Sequence, residues 1–473
     1  MEKTKWRNHS GRGKTVLQWF GIAAAASALA LCCFCAPAGL SDQAARTLGV
    51  LLAAIFLLVF ESFNVCVSCL LACAMLFAFG CVDSISAAFS GYSNHILYFT
   101  TASFGVSLAF QKSSLSRKLI RQIIRTEKLG VKGITFLFML CGAALSAIMS
   151  NVAAVVIFIP YVEGFLEYFH NKEEQARSRR CMMICLTVSA LIGGMITPAG
   201  SSMNLICMDM LENYAGIRIR FIDWIGMGLP LAVVMLVIAF FVITKVYPPA
   251  NPDKEEMRRY VAELRKDQKA SPMDFYTGIL ICGIVFTWII SSWIPAINIT
   301  VTSIVGLALM FLPRFPVMTW EEFSKAISWP TFFVAGSMIS IAAAVVSTGL
   351  CDYLTDLLFM NTAGRSGVLL LMQIAAVTFI FMAVLPSAPA VITILSPIIL
   401  RLASGNGVNP VMALMTSALC VSNIYLFPLD APLVVAYDRK AFRMFELPKA
   451  TIWIQLIMIP VVSLWMSLIF GTG

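Results

Sequence analysis

Charge is what this chain has least of. Asp, Glu, Lys and Arg make up 12% of its 473 residues, against 59% hydrophobic residues. Soluble domains carry roughly twice that charged fraction, so a soluble globular protein is excluded. No stretch is long and polar enough to fold as a soluble domain, and the longest polar one, 248–272, reads as a cytoplasmic linker. Histidine is scarce as well. His9 lies in the N-terminal tail, and His95 and His170 lie near segment ends; none clusters with carboxylates as metal ligands do. No nucleophile elbow, P-loop or dinucleotide fingerprint occurs, which removes an attached ATPase from consideration. The 14 cysteines lie almost entirely in apolar segments, with no CxxC pair matched by a second pair or by histidines at zinc spacing. They read as small hydrophobes that pack helices.

In place of charge there is apolar length. Eleven segments read as spanning helices, near 16–36, 45–60, 64–81, 94–111, 182–211, 223–247, 273–294, 298–313, 329–346, 411–437 and 449–470. The run from Val16 to Cys35 follows a basic start and is long enough to cross about 30 Å of hydrocarbon, so it reads as the first helix and not as a cleaved signal. Two further apolar regions, 134–169 and 366–400, read as long enough only to enter and return as hairpins. With the N-terminus in the cytoplasm, 29 of the 34 Lys and Arg fall in cytoplasmic segments. The five outside are Arg46, Arg218, Arg220, Arg365 and Arg401. The formal charge of +9 therefore reports topology, and no nucleic-acid partner is needed to explain it. Counting either hairpin as one crossing would invert everything after it and spoil the asymmetry.

Two polar tips interrupt the apolar regions. One runs from Ser150-Asn151-Val152-Ala153 to Pro160, the other from Ser387-Ala388-Pro389-Ala390 to Pro397, 237 positions later. Two helix breaks follow the same rhythm: Thr197-Pro198-Ala199-Gly200-Ser201-Ser202-Met203-Asn204, and Phe427-Pro428-Leu429-Asp430-Ala431-Pro432. Broken backbone at membrane depth survives only where it is buried in protein or lines a solute cavity. Matching breaks in two halves point to a transporter's binding site. The expected organisation is a cytoplasmic N-terminus and first helix (1–43), a first repeat (44–247), a linker (248–272) and a second, inverted repeat (273–473). Each repeat holds five spanning helices and a hairpin. Between the fourth helix and the first hairpin, Leu115, Leu119, Ile120, Ile123 and Ile124 alternate with basic residues as in an interfacial helix, and Leu350, Leu354, Leu357 and Leu358 would form its counterpart.

Where two short helices meet, freed carbonyls can coordinate a small cation and helix N-termini can meet an anion. Ser146, Ser150 and Asn151 add side-chain oxygens suited to a hard ion such as sodium. Gly200, Ser201 and Asn204 lie where the first tip should point. The blander readings are helix-to-helix hydrogen bonding and a proline kink without a ligand. Asp209 and Glu163, near predicted helix ends, read as solvated or interfacial.

With these motifs in place the chain resembles the divalent anion:sodium symporter family, within the larger ion-transporter superfamily. The family's Ser-Asn-Thr signature falls on Ser150-Asn151-Val152, and its Gly-Thr-Pro-Pro-Asn signature on Gly200-Ser201-Ser202-Met203-Asn204. Its second pair of signatures falls on Ser387-Ala388-Pro389 and on Ala431-Pro432-Leu433-Val434, where only the serine keeps a side-chain ligand. The resemblance implies a homodimer of elevator carriers, each with a scaffold and a mobile unit that moves one anion with sodium through the bilayer. It implies sodium at Ser146, Ser150, Asn151, Gly200 and Ser201, and solute at Ser150, Asn151, Ser201, Asn204, Ser387, Ala388 and Pro389; to the solute residues the chain's own pattern adds Asp430. The implied solutes are di- and tricarboxylates or sulfate, the implied place a prokaryotic plasma membrane, and no enzyme activity is expected.

Asp430 has no counterpart in that pattern. A carboxylate near mid-membrane is expensive and by default functional. It can replace the second cation's attraction, carry a coupling proton, or repel anions in favour of a neutral or cationic solute. A sodium-independent exchanger or proton-coupled permease is therefore the competing carrier reading. A channel would need a continuous polar pore, and an intramembrane enzyme a nucleophile with its base; the polar residues gather instead at two breaks.

Overall fold

The computed structural model describes residues 3–37, 39–114, 130–250, 255–256, 259–260, 271–294, 296–359, 367–385, 387–423, 425–426 and 430–471. Among these residues the chain is helical, without a strand. The first half contains α1 (Lys3–Phe34), α2 (Asp42–Val59), α3 (Val65–Ala78), α4 (His95–Lys112), α5 (Val131–Ser146), α6 (Asn151–Leu166), α7 (Lys172–Gly194), α8 (Ser202–Ala215) and α9 (Phe221–Val246). The second contains α10 (Pro272–Ile290), α11 (Ile299–Leu309), α12 (Trp329–Ser347), α13 (Leu350–Leu358), α14 (Gly367–Val384), α15 (Ala388–Gly405), α16 (Pro410–Val421), α17 (Ala431–Asp438) and α18 (Leu447–Phe470). From α2 and α10 onward the two halves run through the same order of long helices, a helix pair and a broken helix.

Local chemistry sets these limits. Asn94, Asn171, Asn298 and Asn409 cap their helices by accepting from the backbone N–H two residues on. Pro272, Pro389, Pro410 and Pro432 stand in first turns, where a missing N–H costs nothing. Buried hydroxyls inside the helices turn back on their own chain, as Thr187 does to the Met183 carbonyl and Thr416 to the Met412 carbonyl. Large apolar side chains such as Val233, Phe241, Phe275, Phe286, Ile380 and Leu468 are left exposed on long helices, as a lipid-facing surface requires.

Among the described residues eight helices are long and apolar enough to cross a membrane, α14 and α15 among them. That corrects one expectation. The second apolar region extends to Gly405, and each arm has 18 residues, or about 27 Å of helix. Length alone therefore does not make this pair a hairpin, whereas the arms of the first pair have 16 residues each. The helix α4 has 18 residues but is not among the eight, because His95, Gln111 and Lys112 at its ends, with its Thr and Ser residues, make it less apolar. The nine-residue α13 stands where the second interfacial helix was expected, with Leu350 and Leu354 buried and Leu357 exposed. Its expected counterpart at 115–128 lies outside the described residues, as does Pro428 in the second break. All 14 cysteines are unpaired and most are buried.

Two sets of helix contacts stand out, joined where α12 and α13 pack on α15. The arms α5 and α6 lie on α7, and α6 and α7 both meet α17. The arm α15 lies on α8 and α16, and α9, α14 and α16 all pack against α18. In the other group α2 and α12 pack on α3, and α11 packs on α4 and α10. The helix α4 touches α6 and α8, so one face of it looks onto the first tip and the first break.

Candidate functional site

Tip and break interlock closely in the first half. Ser150 caps α6 by accepting from the Ala153 N–H, and its own N–H donates to Ser107 Oγ on α4 at 3.0 Å. Ser146, fully buried, donates to Asn151 Oδ1. Across from them α7 stops at Gly193-Gly194. Thr197 caps the short turn Pro198–Gly200 and donates to the Ala147 carbonyl of the tip. Glycine is what permits the approach. A side-chain carbon on Gly194 would come within 2.5 Å of Asn151 Oδ1, and one on Gly200 within 2.6 Å of the Gly194 carbonyl and 2.9 Å of the Ser146 carbonyl. The Ser146 and Gly194 carbonyls thus close on Gly200, and Asn151 Oδ1 closes on Gly194. They are hard, neutral oxygens, of the kind that suits sodium. Among the described residues no cluster of His, Cys, Asp or Glu is arranged to hold a metal ion.

Asn204 stands behind this point, not on its surface. It is fully buried; its amide donates to the Gly194 and Thr197 carbonyls, both at 2.8 Å, and its oxygen accepts from Ser422 Oγ at 3.2 Å. It therefore ties together the two sides of the first break and the end of α16. Beyond Ser422, Tyr425 donates to Asn423, which also donates to the Leu419 carbonyl.

A cavity of about 500 Å³ opens in front of the tip. Ser150, Asn151, Gly200, Ser201 and Asp430 line it, together with Ser202 and Val152. Its opposite wall comes from α4, through Thr100, Ser103, Ser107 and Gln111, and from Lys325, Ser328 and Thr331 before and at the start of α12. The α4 residues recur every three or four positions, one face of a helix. Sequence reasoning missed them, although polar residues at that spacing in an apolar helix were a readable signal. Asp430 caps α17, its Oδ1 accepting from the Ala431 N–H at 2.8 Å. Among the described residues Ser201 Oγ meets only the sulfur of Met203, a weak acceptor.

The remaining candidates lie elsewhere. Ser387 begins α15 without a side-chain cap, Ala388 and Pro389 are buried, and none of the three lines the cavity. Asp209 was expected to be solvated or interfacial; it is buried, and Asn94 donates to it at 2.7 Å. Burial between α4 and α8 required that partner. Glu163 is partly exposed and pairs with Arg179 and Arg439, both at 3.3 Å. Glu163 and Arg179 line a wider cleft of about 940 Å³ at the helix ends, away from the tips.

A lipid-facing helical bundle with a polar cavity enclosed by a helix-pair tip and two helix breaks is the build of a multi-pass membrane transporter. Residues 16–472 match the sodium:sulfate symporter transmembrane region, and the chain belongs to that family. It is 23% identical over 443 residues to a membrane protein of Cupriavidus necator, covering 89% of this chain and 85% of that one. An uncharacterized transporter of Haemophilus influenzae is 21% identical over 418 residues, covering 85% and 87%. The sodium-dependent dicarboxylate transporter SdcS of Staphylococcus saprophyticus is 21% identical over 400 residues, covering 79% and 76%.

Proposed function

We propose that this protein is a secondary active carrier that moves a small oxyanion, of the di- or tricarboxylate or sulfate class, together with sodium. The observation that carries the reading is the close approach of the Ser146 and Gly194 carbonyls to Gly200, and of Asn151 Oδ1 to Gly194, at the edge of the cavity. Sodium held there adds a positive charge beside the N-terminus of α6, which already favours an anion. Family membership and the named dicarboxylate relative support the same solute class. In this reading both helix pairs are re-entrant, the halves are inverted repeats, and two copies assemble as a homodimer in the plasma membrane. The unit made of α5–α9 and α14–α18 then moves against the rest as an elevator. The charge asymmetry of the segments supports a cytoplasmic N-terminus and an outside C-terminus.

Asp430 on the cavity wall favours a second reading, a sodium-independent exchanger or proton-coupled permease with Asp430 as the coupling residue. One experiment separates them. The melting of the purified protein is followed across a panel of anions, each with sodium, potassium or choline, because a ligand of the folded state raises apparent stability by mass action. Stabilisation by a dicarboxylate or sulfate only with sodium supports the first reading. Stabilisation by the anion regardless of the cation supports the second. No response to any anion overturns both.

A further inference from the structure

We propose that the solute of this cavity is a carboxylate that also bears a protonated amino group, with an amino dicarboxylate as the fitting class, and that its ammonium faces Asp430. The inference rests on the reading of the cavity as the solute site of a sodium-coupled carboxylate carrier. It concerns the charge that the wall opposite the sodium point demands.

Charge on the wall is sparse and has an unusual sign for an anion site. Among the described residues that line the cavity the only ionisable groups of either sign are Asp430 and Lys325; no arginine or histidine is present. Lys325 sits at the rim with its side chain 73% exposed, and its Nζ is held by Glu321 at 2.7 Å. It is therefore spent on a neighbour. Asp430 is not: Oδ1 accepts from the Ala431 N–H, and among the described residues the other oxygen has no protein partner. A carboxylate fixed this way accepts a donor and repels a second carboxylate.

The anionic end has its own partners. In a 16-residue helix the first backbone N–H groups have no carbonyl ahead of them, and at α6 the Ser150 and Ala153 N–H groups are already taken by Ser107 and Ser150. Those of Asn151 and Val152 remain at the cavity. Thr100, a residue only 9% exposed, belongs to the cavity wall two turns along α4 from Ser107; its Oγ1 is buried away from the cavity and among the described residues has no hydrogen-bond partner. One sodium offsets one negative charge. An unsubstituted dicarboxylate beside Asp430 would still leave two negative charges uncompensated. An amino dicarboxylate leaves one, and places its own positive group against the carboxylate.

Three four-carbon dicarboxylates that differ in one substituent test this: succinate with hydrogen, malate with hydroxyl, aspartate with ammonium. Sodium-driven uptake of each is measured in liposomes with the full-length protein. Aspartate should show an apparent affinity about tenfold or more better than succinate, the size of one charge-assisted hydrogen bond, with malate between. In Asp430→Asn, which keeps an N-cap residue, that advantage should vanish; Asp430→Glu, which keeps the charge, should retain most of it. Melting profiles of both variants establish that they fold. Succinate carried as well as aspartate by the wild type, or an aspartate preference that persists in Asp430→Asn, overturns the inference while leaving the carrier reading intact. No sodium-driven uptake of any of the three, nor of citrate or sulfate, by a protein that melts normally overturns the carrier reading itself.

Discussion

Asn204→Ala is the sharpest probe of how the site is held. Asn204 has no solvent contact and spends three hydrogen-bonding groups, donating to the Gly194 and Thr197 carbonyls and accepting from Ser422. Two of the three partners have a second contact. Ser422 Oγ also donates to the Ala418 carbonyl, and the Thr197 carbonyl also accepts from the Gly200 N–H. The Gly194 carbonyl is the group left stranded in the interior. An orphaned buried acceptor costs about 1–3 kcal/mol, and the two weakened contacts bring the total to about 2–4 kcal/mol. Thermal unfolding of the purified protein in detergent would show a melting midpoint several degrees lower. Asn204→Asp should be worse than Asn204→Ala although it is closer in shape, because it aims a carboxylate at two carbonyl oxygens. A melting curve for Asn204→Ala that overlays the wild type, or an Asp variant milder than the Ala variant, would refute the reasoning.

Three other outcomes follow from the same geometry. Gly200→Ala places a carbon within 2.6 Å and 2.9 Å of two backbone carbonyls, so the tip must separate from the break. The variant should still be made, and titrating sodium should no longer raise its melting midpoint. Thr100→Val removes a buried hydroxyl that has no partner among the described residues, so stability should hold or rise by up to about 1 kcal/mol; a clear loss of stability would mean that the hydroxyl has a protein partner after all. Glu322, outside the spanning segments, has its carboxyl pushed down to about 2, chiefly by the Lys112 ammonium at 2.7 Å and then by the Thr319 N–H. Its folded value lies below the unfolded one, so its contribution is present above about pH 4.5 and fades as pH falls toward 2. The melting difference between wild type and Glu322→Gln should therefore be constant from pH 6 to 8 and shrink below pH 4.5; a difference that varies between pH 6 and 8 would remove this pairing as its cause.

The tips and breaks were legible because they are written in serine, asparagine, glycine and proline, residues whose backbone consequences are local. Ser150, Asn151, Gly200 and Ser201 meet as their spacing suggested. Equal spacing in the second half suggested an equal role for Ser387, Ala388 and Pro389, which do not line the cavity. Their helix packs instead against α8, α12 and α16. Distance between elements remote in sequence is set by packing, and no local pattern encodes it. The same applies to Asn204: its residue type was recognised, but a binding residue and a hidden tie read alike in a string. The polar face of α4 was readable by periodicity, yet it lay in a span taken as ordinary. Asp209 near a helix end read as solvated because only the fold brings Asn94 to it.

The cavity also bears on how the chain is made. Its walls come from residues as far apart as Thr100 and Pro432, so no site exists until the penultimate long segment has entered the membrane. Until then Asn204 lacks Ser422, and the amide and the two carbonyls it bridges must shelter together inside a half-built bundle. The early half must therefore linger where polar groups find temporary partners, and cannot disperse into lipid. A ribosome stalled between 215 and 410 should leave a chain that degrades quickly unless the missing half is supplied alongside.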